Sequence, residues 1–185
     1  MSEDDFALLR PHLRTVLLSQ NVALIELGQP KINVYFPQTA IISLVVETEA
    51  GEQVEIAMVG KDSILGVFGA LGEPVALIKA IVMLAGSASV IGVDAMRAAA
   101  AQSVTLREAM VRHGQALYVQ AQQTAACNAL HSVEARLARW LLRVRDLNGS
   151  DRFILTQEFM AQMIGARRNS VSIVANTLMQ SKVIR

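Results

Sequence analysis

The spacing of apolar residues changes twice along the chain, and each change predicts a different kind of structure. Residues 6–18, FALLRPHLRTVLL, predict a short amphipathic helix broken near Pro11. From about Val22 the period falls to two. VALIELGQ, KINVYFPQ, AIISLVVETE, QVEIAMVG, VALIKAIVML and ASVIGVD are each rich in β-branched or large apolar residues. Between them stand Gly28-Gln29-Pro30, Pro37, Ala50-Gly51-Glu52, Gly60-Lys61-Asp62, the run Gly69 to Pro74, and Gly86-Ser87. Short strands separated by such turns predict a β-sandwich or barrel, with a hairpin about Gly51.

The strand pattern stops after Asp94. DAMRAAAA, residues 94–101, opens a helical region dominated by alanine. A proline-free helix is then predicted from Val104 to Leu130. Along it Met110, Gly114, Leu117, Ala121, Thr124, Asn128 and His131 follow alternating spacings of four and three. That is heptad spacing, and its small residues would let a partner helix approach closely; packing on the chain's own barrel is the other reading, and the two are compatible. His131 to Glu134 interrupts the helix, and Ser132 is placed to cap ARLARWLLRVRDL. There Leu137, Trp140, Leu141 and Val144 are predicted inside, with Arg136, Arg139, Arg143 and Arg145 mostly outside. Asn148-Gly149-Ser150 reads as a turn, and Arg152 to Leu155 as a short strand.

The final segment, LTQEFMAQMIGARRNSVSIVANTLMQSKVIR, is the most informative. Thr156 is placed as an N-cap, with Glu158 beside the positive end of its helix. Met160, Met163 and Ile164 form one apolar stripe, Ala161 is small enough for a second helix to cross, and Gly165 makes the corner. Val171, Val174, Leu178 and Met179 form the apolar side of the second helix. Arg167, Arg168, Asn169, Ser170, Ser172, Ile173 and Asn176 are left facing outward. This is the layout of a DNA-binding helix-turn-helix, with an ordinary helical hairpin as the alternative.

Composition sharpens this picture. The chain has 185 residues, 52% of them hydrophobic and 18% charged, which suits one or two globular domains. A net charge of +1 hides an asymmetry: residues 1–100 carry six basic and eleven acidic residues, whereas residues 101–185 carry eleven basic and five acidic. An acidic half joined to a basic one suggests contact with a polyanion. The single cysteine, Cys127, excludes a disulfide within the chain and any cysteine-ligated cluster held within one chain. The acidic start MSEDDFALLR is unlike a signal peptide, and no run approaches a membrane span, so a cytoplasmic, non-membrane protein is expected. No paired carboxylates, nucleophile elbow or metal-ligand spacing point to an enzyme.

In this order of β-barrel, long helix and helix-turn-helix, the chain resembles the cyclic-AMP receptor protein/FNR (Crp/Fnr) family of transcription regulators over nearly its whole length. NVYFPQTAIISLVVETEAGEQVEIAMVGKDSILG and LTQEFMAQMIGARRNSVSIVANTLMQ carry the resemblance. It implies an α+β protein: a jelly-roll, cyclic-nucleotide-binding-like β-roll over 1–103, a dimerisation helix over 104–131, and a winged-type helix-turn-helix domain over 132–185. It further implies a homodimer reading a palindromic operator, with RNA polymerase as a further candidate partner. By position, base reading falls on Arg168, Asn169 and Ile173, and phosphate contact on Arg167 and Ser170. Dimerisation is assigned to Met110, Gly114, Leu117, Ala121, Thr124 and Asn128.

Two departures qualify the resemblance. The family's nucleotide pocket needs a carboxylate for the ribose and an arginine for the phosphate. Here the corresponding stretches are Ile64-Leu65-Gly66 and Ala76-Leu77-Ile78, with Lys79 as the nearby cation. A buried phosphate without a paired cation is costly, so cyclic AMP is not expected to bind in the family mode, and the effector is left unassigned. His12, His113 and His131 lie outside the predicted strands, no haem ligand is assigned among them, and no cofactor is expected. The chain also ends at Val183-Ile184-Arg185, so the family's wing is expected to be missing. That ending, with the apolar Ile173 at a reading position, supports an alternative: a sensor or protein-interaction module whose C-terminal domain does not bind DNA.

Overall fold

The structure, a computed structural model, describes residues 2–72 and 75–184. It begins with helix α1 (Glu3–Leu9), followed by a 3-10 turn over Arg10–His12 and strand β1 (Arg14–Leu18). The apolar run expected to form one broken helix is therefore split. Pro11 sits in the first turn of the 3-10 segment, and the chain beyond it pairs with another strand. Strands β2 (Ala23–Ile25), β3 (Asn33–Pro37), β4 (Ile41–Glu47) and β5 (Gln53–Val59) follow. A one-turn helix, α2 (Val67–Leu71), precedes β6 (Lys79–Leu84) and β7 (Gly86–Gly92). The run Gly69 to Pro74 thus opens inside a helix rather than a turn, and its end, Glu73 and Pro74, lies outside the described residues.

The strands form two antiparallel sheets, ordered β1-β7-β3 and β2-β6-β4-β5. Ile42, Leu44, Ala57, Val59, Ala80, Val82 and Ala88 fill a shared apolar cluster between them. Strand β4 is buried over Ile41–Val45, because its opposite face meets helices rather than water. In the β4–β5 hairpin the register shifts at a bulge: Leu44 faces Ala57, but Val45 faces Glu55. Ile56 is the extra residue, and it turns Glu55 toward the helical side with Val45.

Helix α3 (Val93–Gln102) leads into α4 (Val104–Leu130), which begins with Ser103 accepting from the Leu106 amide. Asp5 ties the amino terminus to this joint: its carboxylate accepts from the hydroxyls of Ser103 and Thr105 at 2.5 and 2.8 Å. The Ser103 hydroxyl and the Ser2 amide hold that carboxyl well below the usual carboxylate range. Helix α5 (Val133–Asn148) starts on Ser132, whose hydroxyl accepts from the Ala135 amide at 3.3 Å. Beyond it Arg152–Leu155 forms no regular element and pairs with no strand among the described residues. Phe153 and Leu155 tuck against the core while Ile154 is 90% exposed, so the alternation is real but lacks a neighbour to make it a sheet.

The stripe assigned to dimerisation packs on the chain's own barrel and on α2. Met110 is buried with Leu9, Val34, Ile91 and Met96, and Leu117 packs on the inter-sheet cluster. Gly114 is pressed against Phe68, where an added Cβ would come within 2.9 Å of the ring. Thr124 is buried, whereas Ala121 and Asn128 are half-buried at the margin. The small residues admit the close approach of the chain's own barrel and α2.

Candidate nucleic-acid interface

The last two helices are α6 (Gln157–Met163) and α7 (Arg168–Gln180). Thr156 caps α6, its hydroxyl accepting from the Phe159 amide at 3.1 Å. Gly165 turns the chain in the left-handed region at φ 60°, and the Ala166 amide closes the corner on the Ala161 carbonyl at 2.9 Å. A Cβ at Gly165 would also stand 3.2 Å from Val54 of β5, so the corner rests on the sheet.

Helix α7 buries Val171 and Ala175 and half-buries Val174 and Leu178. Met179, expected on that side, is exposed, and the small Ala175 takes the closest approach instead. Ser172 donates to Gln157 Oε1 at 2.6 Å and so ties α7 to α6 rather than facing solvent. Arg167, Arg168, Asn169 and Ile173 are exposed on the opposite face, Asn176 with them, and Ser170 is half-buried at its edge. The reading and phosphate residues named from the sequence therefore share one outward face. Arg167 occupies the N-cap position and gives the first turn no side-chain cap. Two arginines beside uncapped amides at the positive end of a helix make an anion-binding surface. Arg168 Nε lies 3.4 Å from Glu158 Oε2 on α6, both groups being exposed.

The hairpin stands on a core shared with the β-roll. Leu137, Trp140, Val144, Met160, Ala161, Met163, Ile164 and Val171 pack in one cluster with Ile41, Val45, Met58 and Met83. Three arginines expected to be solvated are half-buried braces in this assembly. Arg136 Nη1 donates to the carbonyls of Asn128 and Ile164, at 3.4 and 3.3 Å, joining the ends of α4 and α6. Arg139 Nη2 reaches Thr124 Oγ1 at 3.4 Å, and Arg143 pairs with Asp62 at 2.9 Å. Charge alone could not separate these from Arg167 and Arg168.

Sequence reasoning also missed Glu55, which is 5% exposed between β5 and α5. Trp140 donates its indole N–H to Oε1 at 2.8 Å, and Ser43 bonds Oε2 at 2.5 Å. Burial pushes the carboxyl up to about 8 against the pull of both partners and of Arg139 and Arg143. A glutamate in an otherwise apolar strand was the available signal.

At the stretches corresponding to the nucleotide pocket, Leu65 and Ala76 are buried and Lys79 pairs with Glu26 at 3.2 Å. His113 sits half-buried with Nε2 between the backbone N and O of Ile64, at 3.1 and 2.9 Å. Burial lowers its pKa. Cys127 is buried, and the described residues hold no cluster of metal-ligating side chains. No helix among them is long and apolar enough to cross a membrane.

Residues 135–185 match the family model of the Crp-like helix-turn-helix domain. The C-terminal domain is Crp-like. Its sequence match covers both helices of the hairpin and α5 before them. No curated protein matches the chain in sequence. Among solved structures, the global regulator CLP of Xanthomonas campestris, described as responsive to c-di-GMP, superposes with a TM-score of 0.77 at 12% identity. The match covers 98% of this chain and 93% of that one. FixK2 of Bradyrhizobium japonicum gives 0.77 at 12% identity over 92% and 86% of the two chains. A CRP-family transcriptional regulator from Thermus thermophilus gives 0.73 at 19% identity over 90% and 85%. At these identities the likeness is one of fold, and it extends from the β-roll through α4 to the Crp-like domain: the whole chain has the Crp/FNR fold.

Proposed function

We propose that this chain is a dimeric, sequence-specific DNA-binding transcription regulator. The observation that carries the reading is the exposed, uncapped N-terminus of α7 with Arg167, Arg168 and Asn169 on it, on a helix whose other side is core. Arg168, Asn169 and Ile173 read base edges in the major groove; Arg167, Ser170 and the free amides hold phosphates. For Ile173, 68% exposed, the available partner is a thymine methyl.

Pairing is assigned to the outer face of α4 in place of the inner stripe. Val104, Val111, Tyr118 and Val119 are exposed there, with Ala125, Ala126 and Ala129 between Val119 and the exposed Leu130. Exposed apolar side chains along one face of a long helix, interrupted there by Glu108, Gln115 and Gln122, favour a second copy of the same face about a two-fold axis. Two α7 helices would then meet half-sites about 34 Å apart. The β-roll is read as not binding a cyclic nucleotide in the family mode, because Lys79 is engaged by Glu26 and apolar side chains stand where ligands would be needed.

Selection of bound duplexes from a random pool, at stated salt, tests the reading. A palindromic consensus is expected. Arg168→Ala should then relax preference at one base pair per half-site, by about 1–3 kcal/mol of discrimination. Recovery of no consensus from a folded protein would leave the sensor or interaction module as the function.

A further inference from the structure

The Crp-like domain and the β-roll meet through an apolar interface with one buried polar cluster, centred on Glu55, while Arg143–Asp62 and Gln162–Gln53 join the two parts at its exposed rim. Around it, Trp140 and Val144 pack with Ile41, Val45 and Met58, and Gly165 rests against Val54. At its centre Glu55 of β5 accepts from the Trp140 indole of α5, while Ser43 of β4 bonds its second oxygen. Its neighbours decide what its charge does. From α5, Arg139 and Arg143 face it; Arg139 is shared with Thr124 of α4, and Arg143 with Asp62 in the loop after β5. Strand β4 offers the neutral Ser43 and α4 the neutral Thr124. Neither arginine is within a salt-bridge distance of Glu55. A carboxylate here would be a buried charge answered by two hydrogen bonds and two distant cations, whereas a neutral carboxyl costs far less.

We propose that Glu55 is a proton-controlled latch between the β-roll and the helix-turn-helix domain, docking α5 on β5 when protonated and loosening it when charged. When the latch charges, the proton leaves to solvent, and the carboxylate is left with the Ser43 hydroxyl and the Trp140 indole as its two donors. A docked carboxyl with a raised pKa binds its proton more tightly than a released one. Docking is therefore fully present below the ordinary carboxylate range, weakens as pH rises toward about 8, and changes no further above it. Over that window the ratio of docked to released forms falls by up to tenfold per pH unit, the limit for one proton. In the docked form the reading face of α7 points outward and the spacing of paired α7 helices is fixed by the shared core. Resting on the DNA-reading function proposed above, the consequence is that operator affinity falls as pH rises.

Trp140 is the chain's single tryptophan, so its emission reports the latch directly. With the full chain between pH 5 and 9, a red shift that develops above the ordinary carboxylate range and is complete by about pH 8 is expected, together with faster amide exchange in α5 and α6. Glu55→Gln keeps the shape and an acceptor for the indole, so its emission should stay unshifted across the range. The same titration in Glu55→Gln, a flat profile in the unaltered chain, or a midpoint in the ordinary carboxylate range would each overturn the proposal. Affinity for the enriched duplex at fixed ionic strength should fall with pH in the unaltered chain and not in Glu55→Gln. Failure to bind any duplex counts against the DNA reading alone, and the emission titration still decides the latch.

Discussion

Helices α4 and α7 each bury one face in the chain and leave the other exposed, yet their exposed faces are chemically opposite. On α7 the outer face opens with Arg167, Arg168 and Asn169; on α4 it carries Val111, Tyr118 and Val119, with Tyr118 66% exposed. An exposed cationic face next to free helix amides loses little in water and gains most against a polyanion. An exposed apolar face gains most by burial against another apolar face. One helix is thus suited to nucleic acid and the other to protein, and the two together suit a paired reader of DNA.

The comparison breaks most visibly at the inner face of α4. Met110→Ala removes a fully buried side chain, and denaturant unfolding should show a loss of about 2–5 kcal/mol. A loss below about 1 kcal/mol would mean that Met110 does not anchor α4 to the barrel. Next in size is the outer face. Tyr118→Glu combined with Val119→Glu should weaken self-association by about 2 kcal/mol or more, roughly thirty-fold in Kd, while leaving the monomer's unfolding nearly unchanged. Sedimentation velocity checks this, and an unaltered dimer would move the interface elsewhere. The smallest effect is at α7. Arg167→Ala should weaken every duplex similarly and reduce the salt slope of binding by about 1. A change of sequence preference would show that Arg167 reads bases.

Much of the fold was legible because local rules and tertiary packing agree. The period-two runs became β2 to β7, Ser132 and Thr156 cap their helices, and Gly165 takes the left-handed corner. The outward set on α7 could be read because its inward partners, Val171 and Val174, lie at helical spacing and fixed the opposite face. Helix α4 defeated the same logic. Its inner stripe of small residues and its outer stripe of valines and alanines both repeat at helical spacing, and spacing does not say which stripe meets the barrel. At β1 the expected helix gave way to pairing with β7, a contact between opposite ends of the β-roll's sequence that no local pattern contains.

By itself, then, the sequence determined β2 to β7 and the long helices, several of their caps and corners, and the exposure of Arg167, Arg168, Asn169 and Ile173 on α7, since each follows from residues within a few positions of one another. Tertiary structure decided the rest. It chose the face of α4 that is buried, turned Arg136, Arg139 and Arg143 from solvated charges into braces, and used the bulge at Ile56 to aim Glu55 at Trp140. Those outcomes depend on groups brought together from distant parts of the chain. One extra residue in a strand reverses which side its neighbours face, and only the partner strand reveals that it is extra.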